Sequence, residues 1–191
     1  HPNTLEECLT ALHQAEGTAL PYAGGTDVMI HLRERTEHMR KMHALIDLSG
    51  IPELHGITLE NDVIRLGSMT THTQAATSTL LREHAPFLSA AAATVGSLQI
   101  PNAGTIGGNV CNGSPAADTV TPLVALDAQA VLSSVSGTRK VPVTELYGRG
   151  GMTIKPDELL VAFEFSSLAA WRTSFLKLGR RKALAISRMN V

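Results

Sequence analysis

The first apolar residues of the chain recur at the intervals of three and four that define one face of a helix: Leu5, Cys8, Leu9 and Leu12. This spacing predicts an amphipathic helix with Cys8 in its buried face. Thr4 precedes the pattern and Glu7 follows three residues later, so the two are predicted to form a capping box.

Short apolar runs separated by a polar turn and an amphipathic segment follow this helix. Strands are predicted at Ala19–Tyr22 and Ala44–Leu48, with a helix at Val28–Arg33 between them. Thr26 or Asp27 is placed to cap that helix. The strand–helix–strand order predicts a small βαβ-like unit with a mostly parallel sheet, ending near residue 50.

The pattern changes after Gly50 to shorter strands and helices, an order typical of an antiparallel sheet with helices on one side. Strands are predicted at Leu54–Leu59, Val63–Gly67, Ala130–Ser134, Arg139–Val143 and Glu158–Phe165. Helices are predicted at Thr71–Ala76, Pro86–Val95 and Val120–Ala128. A strand at Trp171–Leu178 is predicted to open a further unit, and the fold class is therefore α+β.

The stretch from Gly96 to Asp118 interrupts these patterns, because it is rich in glycine, asparagine and proline and almost free of charge. It predicts a ligand-binding loop and no core segment. The closely spaced glycines around Thr105 permit positive φ and would turn successive N–H groups toward an anion. Asn109 and the Asp118 carboxylate could bind sugar hydroxyls. A tight loop that only crosses between two layers of the fold stays open as the alternative.

A second loop of this character, Ala23–Asp27, stands between the first predicted strand and the helix after it. Free N–H groups at the start of that helix would face an anion. The common phosphate motifs, G-x-G-x-x-G after a strand and G-x-x-x-x-G-K-[ST], are both absent from the sequence. The absence of both motifs excludes a dinucleotide-binding Rossmann site and a P-loop nucleotide site.

Charge and cysteine content narrow the function classes. Lysine and arginine total 16 against 17 aspartate and glutamate, so the sequence offers no basic surface for nucleic acid or an anionic membrane. Cys8 and Cys111 are too few for a disulfide framework and predict no iron–sulfur cluster on this chain. Without an apolar run of membrane-spanning length or a signal-like segment, a reducing cytoplasm is predicted.

The histidines and the remaining polar clusters predict no metal site. His31, His38, His43 and His72 lack ligand spacing with a carboxylate, so they are predicted to be surface residues or satisfied interior ones. Cys111 has no activating base beside it in the sequence and is predicted to be a small packing residue. The cluster at residues 180–182 is predicted to be solvated.

Three ordered motifs carry a resemblance to a known family: AGGTD at Ala23–Asp27, TIGGN at Thr105–Asn109 and SPAAD at Ser114–Asp118. Together they resemble the FAD-binding (medium) subunit of the molybdenum hydroxylases, the xanthine dehydrogenase and carbon monoxide dehydrogenase type. Further stretches agree in the same order along the chain, at 47–49, 51–54, 64–68, 177–181 and 185–188.

The resemblance implies a two-subdomain FAD-binding domain of the vanillyl-alcohol-oxidase and molybdopterin-dehydrogenase type. Residues 1–50 would form the first subdomain and residues 51–166 the second. Residues 167–191 would begin a C-terminal flavoprotein domain that is mostly missing. This tail is therefore expected to be poorly anchored or to pair with another chain.

The resemblance also implies which residues contact the cofactor. Those wrapping the pyrophosphate and ribityl would be Tyr22, Ala23, Gly24, Gly25, Thr26, Asp27, Val28, Thr105, Ile106, Gly107, Gly108 and Asn109. Asp118 would hold the ribose or adenine, and Leu160 would line the adenine pocket. Val95 and Lys177 would lie near the cofactor. No catalytic side chain is predicted, because the flavin supplies the chemistry.

The implied function is that of an electron-transfer flavoprotein within a complex. Molybdopterin and two-iron two-sulfur clusters are expected on partner subunits, and electrons would pass from this flavin to NAD or another acceptor. Two alternatives stay open. One is a free-standing FAD reductase on the same fold, such as the peptidoglycan-precursor reductases, and the other is an interaction subunit that has lost the flavin.

Overall fold

The computed structural model describes residues 1–97, 99–114, 116–179 and 187–191. The helices are α1 (Leu5–Gln14), α2 (Val28–Glu34), α3 (Glu37–Arg40), α4 (His72–Thr77), α5 (Thr79–His84), α6 (Pro86–Ala92), α7 (Ile100–Ala103), α8 (Ile106–Cys111) and α9 (Val120–Ala125). The strands are β1 (Ala19–Tyr22), β2 (Ala44–Asp47), β3 (Ile57–Glu60), β4 (Val63–Gly67), β5 (Gln129–Ser134), β6 (Gly137–Pro142), β7 (Tyr147–Gly148), β8 (Gly151–Met152), β9 (Leu159–Ser166), β10 (Lys177–Gly179) and β11 (Ser187–Asn190). None of the described helices has the length and apolar character needed to cross a bilayer.

The N-terminal unit has the predicted order of helices and strands, with one short helix, α3, that was not predicted. The Thr4 hydroxyl accepts a hydrogen bond from the Glu7 amide at 3.2 Å and so caps α1. The second half of the predicted capping box is wrong, since the Glu7 carboxylate accepts from the amide of Asn3. Strands β1 and β2 pair in parallel, with Ala19 opposite Ala44, and Cys8 is buried beneath them.

The larger unit is the predicted antiparallel sheet, with strand order β3-β4-β9-β5-β6. Its central strand β9 is buried on both faces near its start. Leu159 and Val161 pack into a core with α1, β1 and β2, whereas Leu160 and Phe163 pack into a second core with helices of the larger unit. Strand β9 therefore joins the two units, and the α+β architecture is confirmed.

Several elements of the larger unit differ from their predictions. The strand predicted from Leu54 begins at Ile57, after a 3₁₀ turn over Pro52–Leu54. The helix predicted at Pro86–Val95 ends at Ala92. Helix α5 was missed, although Ser78 caps it by accepting from the Leu81 amide at 3.2 Å.

The stretch predicted as an irregular loop contains helices α7 and α8, so its exclusion from the core is wrong. Ile106 and Val110, four residues apart, are fully buried in the larger core. Thr105 caps α8 by accepting from the Gly108 amide at 3.0 Å. The glycines lower the helical propensity of this segment, so its helices are not predicted from the sequence. Close contacts at the site described below explain why glycine occupies these positions.

The C-terminal segment differs from its prediction as well. The strand expected at Trp171–Leu178 is limited to β10, which pairs antiparallel with β11. Trp171 is 69% and Leu176 72% exposed. The basic cluster at 180–182 lies outside the described residues, and the unit boundaries near 50 and 166 stay predictions.

One ion pair in the larger unit predicts an acid-dependent loss of stability. Arg139 donates to both carboxylate oxygens of Glu158, at 2.6 and 2.8 Å, and these hydrogen bonds lower the pKa of Glu158. A lowered carboxyl pKa stabilises the fold above the pKa of the unfolded chain, and that stability is lost as pH falls through the folded value. We therefore expect Glu158→Gln to lose about 1 kcal/mol of unfolding free energy at pH 7 and less at pH 3.

Urea unfolding at pH 3 to 7 measures this difference. The exposed Glu145 supplies the control, since Glu145→Gln should follow the wild-type pH profile. A Glu158→Gln profile parallel to that of the wild type at every pH would contradict the prediction.

Candidate functional site

The two glycine loops predicted to bind a ligand touch each other. A Cβ on Gly24 would lie 1.9 Å from the carbonyl oxygen of Ala103, so only glycine allows this approach. Gly25 has φ +69°, and a Cβ there would lie 2.4 Å from the Tyr22 hydroxyl. The chain thus brings Gly24 directly against residues 103–104.

Backbone pairing fixes the position of the longer loop. The amide of Gly107 donates to the Ser68 carbonyl at 2.9 Å, that of Ile106 to Thr70 at 2.9 Å, and that of His72 to Gly104 at 3.0 Å. A Cβ on Gly107 would lie 2.7 Å from the carbonyl oxygen of Ser68, which explains the glycine. Residues 104 and 105 and the start of α8 are therefore held against residues 68–72, with an isolated antiparallel bridge between Thr71 and Thr105.

The expectation that the longer loop offers its N–H groups to an anion is not supported by this geometry. The amides of Ile106 to Asn109 all have internal acceptors, and the glycines at 104, 107 and 108 do not have positive φ. In contrast, the amides of Gly24, Gly25 and Thr26 donate no hydrogen bond within the described part of the chain. The free backbone donors at this site come from the shorter loop.

The predicted cap of α2 is also wrong. Asp27 occupies the N-cap position, but its side chain accepts no hydrogen bond from the helix backbone. The Thr26 hydroxyl instead donates to the Asp27 carboxylate at 3.1 Å.

Two cavities lie side by side along the loops. The smaller, of about 390 Å³, has a mostly apolar lining that includes Pro21, Met69 and Leu160. The larger, of about 510 Å³, runs along residues 23–28 and reaches Val95. Ala23, Thr105, Gly108 and Cys111 line both cavities.

Most of the predicted cofactor residues come together in these walls. Those lining the larger cavity are Ala23, Gly24, Gly25, Thr26, Asp27, Val28, Val95, Thr105, Gly108 and Asn109. Those lining the smaller cavity are Ala23, Thr105, Gly107, Gly108 and Leu160. Tyr22 and Ile106 line neither: Tyr22 packs under Gly25, and Ile106 is a core residue.

Asp118 and Lys177 also lie outside both linings, and they contact each other. The Lys177 ammonium donates to the Asp118 carboxylate at 2.6 Å and to the Thr94 carbonyl at 3.3 Å. Asn190 donates to the other Asp118 oxygen at 3.3 Å. The side chains of Asp118 and Lys177 are only 9% and 12% exposed. Strands β10 and β11 are thus anchored through a buried ion pair, and the predicted contacts of both residues with the cofactor stay predictions.

Sequence reasoning missed His72, which lines the larger cavity and is 2% exposed. Burial lowers its pKa to about 4, against the attraction of Asp118. Its Nδ1 is buried with no hydrogen-bond partner within the described residues, so the prediction of a surface or satisfied histidine is wrong. No spacing in the sequence signals this position, because it depends on the pairing of residue 72 with residue 104.

The prediction that Cys111 is a small packing residue is also wrong. The residue lies at the end of α8, is exposed, and lines both cavities, so it is no packing residue. Cys8, by contrast, is fully buried in the core, and burial raises its pKa to about 11.

Comparison with known proteins places this architecture among flavoprotein domains. Residues 1–165 match the family described as the FAD binding domain in molybdopterin dehydrogenase. The chain is 38% identical to a nicotinate dehydrogenase FAD-subunit from Eubacterium barkeri over 97% of its length. It is 41% identical to a xanthine dehydrogenase FAD-binding subunit from Escherichia coli O157:H7 over 75% of its length.

Solved structures of related enzymes share this fold. The fold superposes on a carbon monoxide dehydrogenase chain from Hydrogenophaga pseudoflava with a TM-score of 0.88 and 28% identity, covering 97% of this chain. A quinoline 2-oxidoreductase from Pseudomonas putida 86 gives a TM-score of 0.85 at 26% identity. The chain spans 64% of the nicotinate dehydrogenase subunit, 49% of the xanthine dehydrogenase subunit and 64% of the carbon monoxide dehydrogenase chain.

Proposed function

Since the chain belongs to the family of FAD-binding domains of molybdopterin dehydrogenases, we propose that it is the electron-transfer flavoprotein subunit of a molybdopterin-containing hydroxylase or dehydrogenase complex. Membership of this family confirms the resemblance that the three motifs carried. It also confirms the prediction that FAD is the cofactor of the family. The proposal also includes the activity of the whole complex, its partner subunits and a cytoplasmic location.

The observation that carries the proposal is the pair of adjacent cavities that meet at the glycine loops. FAD has two halves joined by a pyrophosphate, and two adjoining cavities with shared wall residues suit that shape. The apolar smaller cavity with Leu160 fits the adenine. The larger cavity, with Val95 and Asn109, offers polar and apolar groups to the ribityl and isoalloxazine. The pyrophosphate would lie in the larger cavity beside Gly24 and Gly25, close to Ala23 and Gly108, which line both cavities.

Backbone donors suit the pyrophosphate at this place. Among the described residues, neither Lys nor Arg lines the larger cavity. Histidine, threonine and asparagine side chains also line this cavity. The free amides of Gly24, Gly25 and Thr26 are successive backbone donors, and N–H groups of this kind form anion sites. Asp27, also in the lining, opposes an anion electrostatically, but its carboxylate accepts from Thr26. On the side of the larger cavity this arrangement favours binding by directed hydrogen bonds over binding by net charge, whereas Lys155 lines the smaller cavity.

The bound flavin would supply the redox chemistry, and the chain would bind it, orient it and limit its contact with water. The partners that fit this role are an iron–sulfur subunit that delivers electrons and a molybdopterin subunit that oxidises the substrate. NAD or another acceptor would receive the electrons. No proton transfer by a side chain of this chain is required.

Equilibrium titration tests the fit of the two cavities. We expect FAD to bind at least tenfold more tightly than FMN or ADP, because only FAD fills both cavities and the loop region between them. Quenching of flavin fluorescence reports FAD and FMN, and competition reports ADP. Equal affinities for FAD and FMN would contradict the assignment of the smaller cavity, and no binding of FAD would favour the flavin-less interaction subunit.

A further inference from the structure

His72 contributes to the wall of the larger cavity although one of its ring nitrogens has no hydrogen-bond partner among the described residues. The residue is 2% exposed, and its Nδ1 has no hydrogen-bond partner among the described residues. A buried polar atom without a partner destabilises a fold, and native proteins keep few of them. Its persistence at a cavity wall points to a role in binding.

The edge of the ring that faces the cavity follows from its neighbours. Nδ1 is sealed from solvent. Cδ2 and Nε2 lie 3.3 and 3.7 Å from the point where a Cβ on Gly104 would stand, and Gly104 lines the same cavity. The backbone of His72 is fixed there by its hydrogen bond to the Gly104 carbonyl. The Cδ2–Nε2 edge thus lies against Gly104, a residue of the cavity wall, whereas Nδ1 is sealed off.

The protonation state of the ring makes it a single donor. Burial lowers the pKa of His72 to about 4, so the imidazole is neutral at pH 7 and carries one N–H. An orphaned buried N–H is rarer than an orphaned acceptor, which favours the tautomer with its hydrogen on Nε2.

We propose that His72 is a cofactor-binding residue whose Nε2–H donates a hydrogen bond to an acceptor atom in the ribityl or isoalloxazine half of FAD. This assignment rests on the proposed function and adds a side chain that the motifs do not mark. A hydrogen bond from Nε2 to the cofactor would also give a reason for a polar ring at a site where Nδ1 has no partner among the described residues.

His72→Leu tests the proposal, because binding and stability should change in opposite directions. Leucine removes the buried unpartnered nitrogen, so the Tm of the FAD-free protein stays the same or rises. The affinity for FAD falls about tenfold, the loss expected for one hydrogen bond of this kind. His72→Gln keeps a donor in the side chain and should restore the affinity to within about threefold of the wild type.

Thr173→Val is the matched control. The Thr173 hydroxyl is likewise buried without a partner among the described residues, but Thr173 lines neither cavity, so FAD affinity should not change. Wild-type affinity in His72→Leu, or a loss of affinity that accompanies a fall in Tm, would overturn the inference. Absence of FAD binding by the wild type would overturn the proposed function and, with it, the role of His72.

Discussion

Gly24→Ala should weaken FAD binding by roughly 100-fold or more. The added Cβ would lie 1.9 Å from the Ala103 carbonyl oxygen and 2.6 Å from its carbon, both backbone atoms that no side-chain rotation can move. The two loops must separate, and the amides of Gly24 and Gly25 then shift away from the position of the pyrophosphate. Fluorescence titration measures the affinity, and circular dichroism checks that the fold remains.

Gly150→Ala is the matched control for this substitution. A Cβ on Gly150 would meet nothing within 4 Å, and its φ is not in the left-handed region. Its affinity for FAD should equal that of the wild type. If Gly24→Ala bound FAD within threefold of the wild type, the contact between the loops would not matter for the cofactor.

Lys177→Met should lower the free energy of unfolding by about 3 kcal/mol, since removing one member of a buried ion pair leaves the other charge unpaired. Asp118 would keep only the Asn190 amide as a side-chain donor in the described part of the chain. Adding Asp118→Asn removes the stranded charge, so the double variant should recover part of this loss. Urea unfolding of both variants and the wild type at pH 7 measures the difference.

The exposed pair Lys41–Glu37 offers the control, because its side chains are 69% and 87% exposed. Lys41→Met should change stability by less than about 0.5 kcal/mol. A loss equally small in Lys177→Met would show that β10 and β11 do not depend on the ion pair. An expected loss would show that the C-terminal segment is anchored, in contrast to the weak attachment expected from the sequence.

The sequence predicts the architecture well where the residues of one helix or strand determine its conformation by themselves. The spacing of Leu5, Cys8 and Leu9 specifies α1, and the alternation of short strands specifies the antiparallel sheet. The glycines of the two loops identify the site because each loop can be recognised from its own consecutive residues. Helix α8 escapes detection because Gly107 and Gly108 weaken its propensity, while the burial of Ile106 that stabilises it comes from tertiary packing.

The site residues that sequence missed depend on contacts between distant segments. His72 enters the cavity because residues 68–72 pair with 104–107, a register that no local pattern encodes. The occupation of the Asp118 carboxylate by Lys177 and Asn190 likewise follows from the position of β10 and β11. Motif matching identified Asp118 and Lys177 one at a time and could not predict that they bind each other.

The absorbance spectrum of the purified protein, followed by acid release of any chromophore, tests the central claim most directly. The account predicts the bands of oxidised flavin and release of FAD in an amount stoichiometric with the chain, either as purified or after incubation with FAD. A colourless protein that takes up no FAD, with its circular dichroism showing a folded chain, would contradict it.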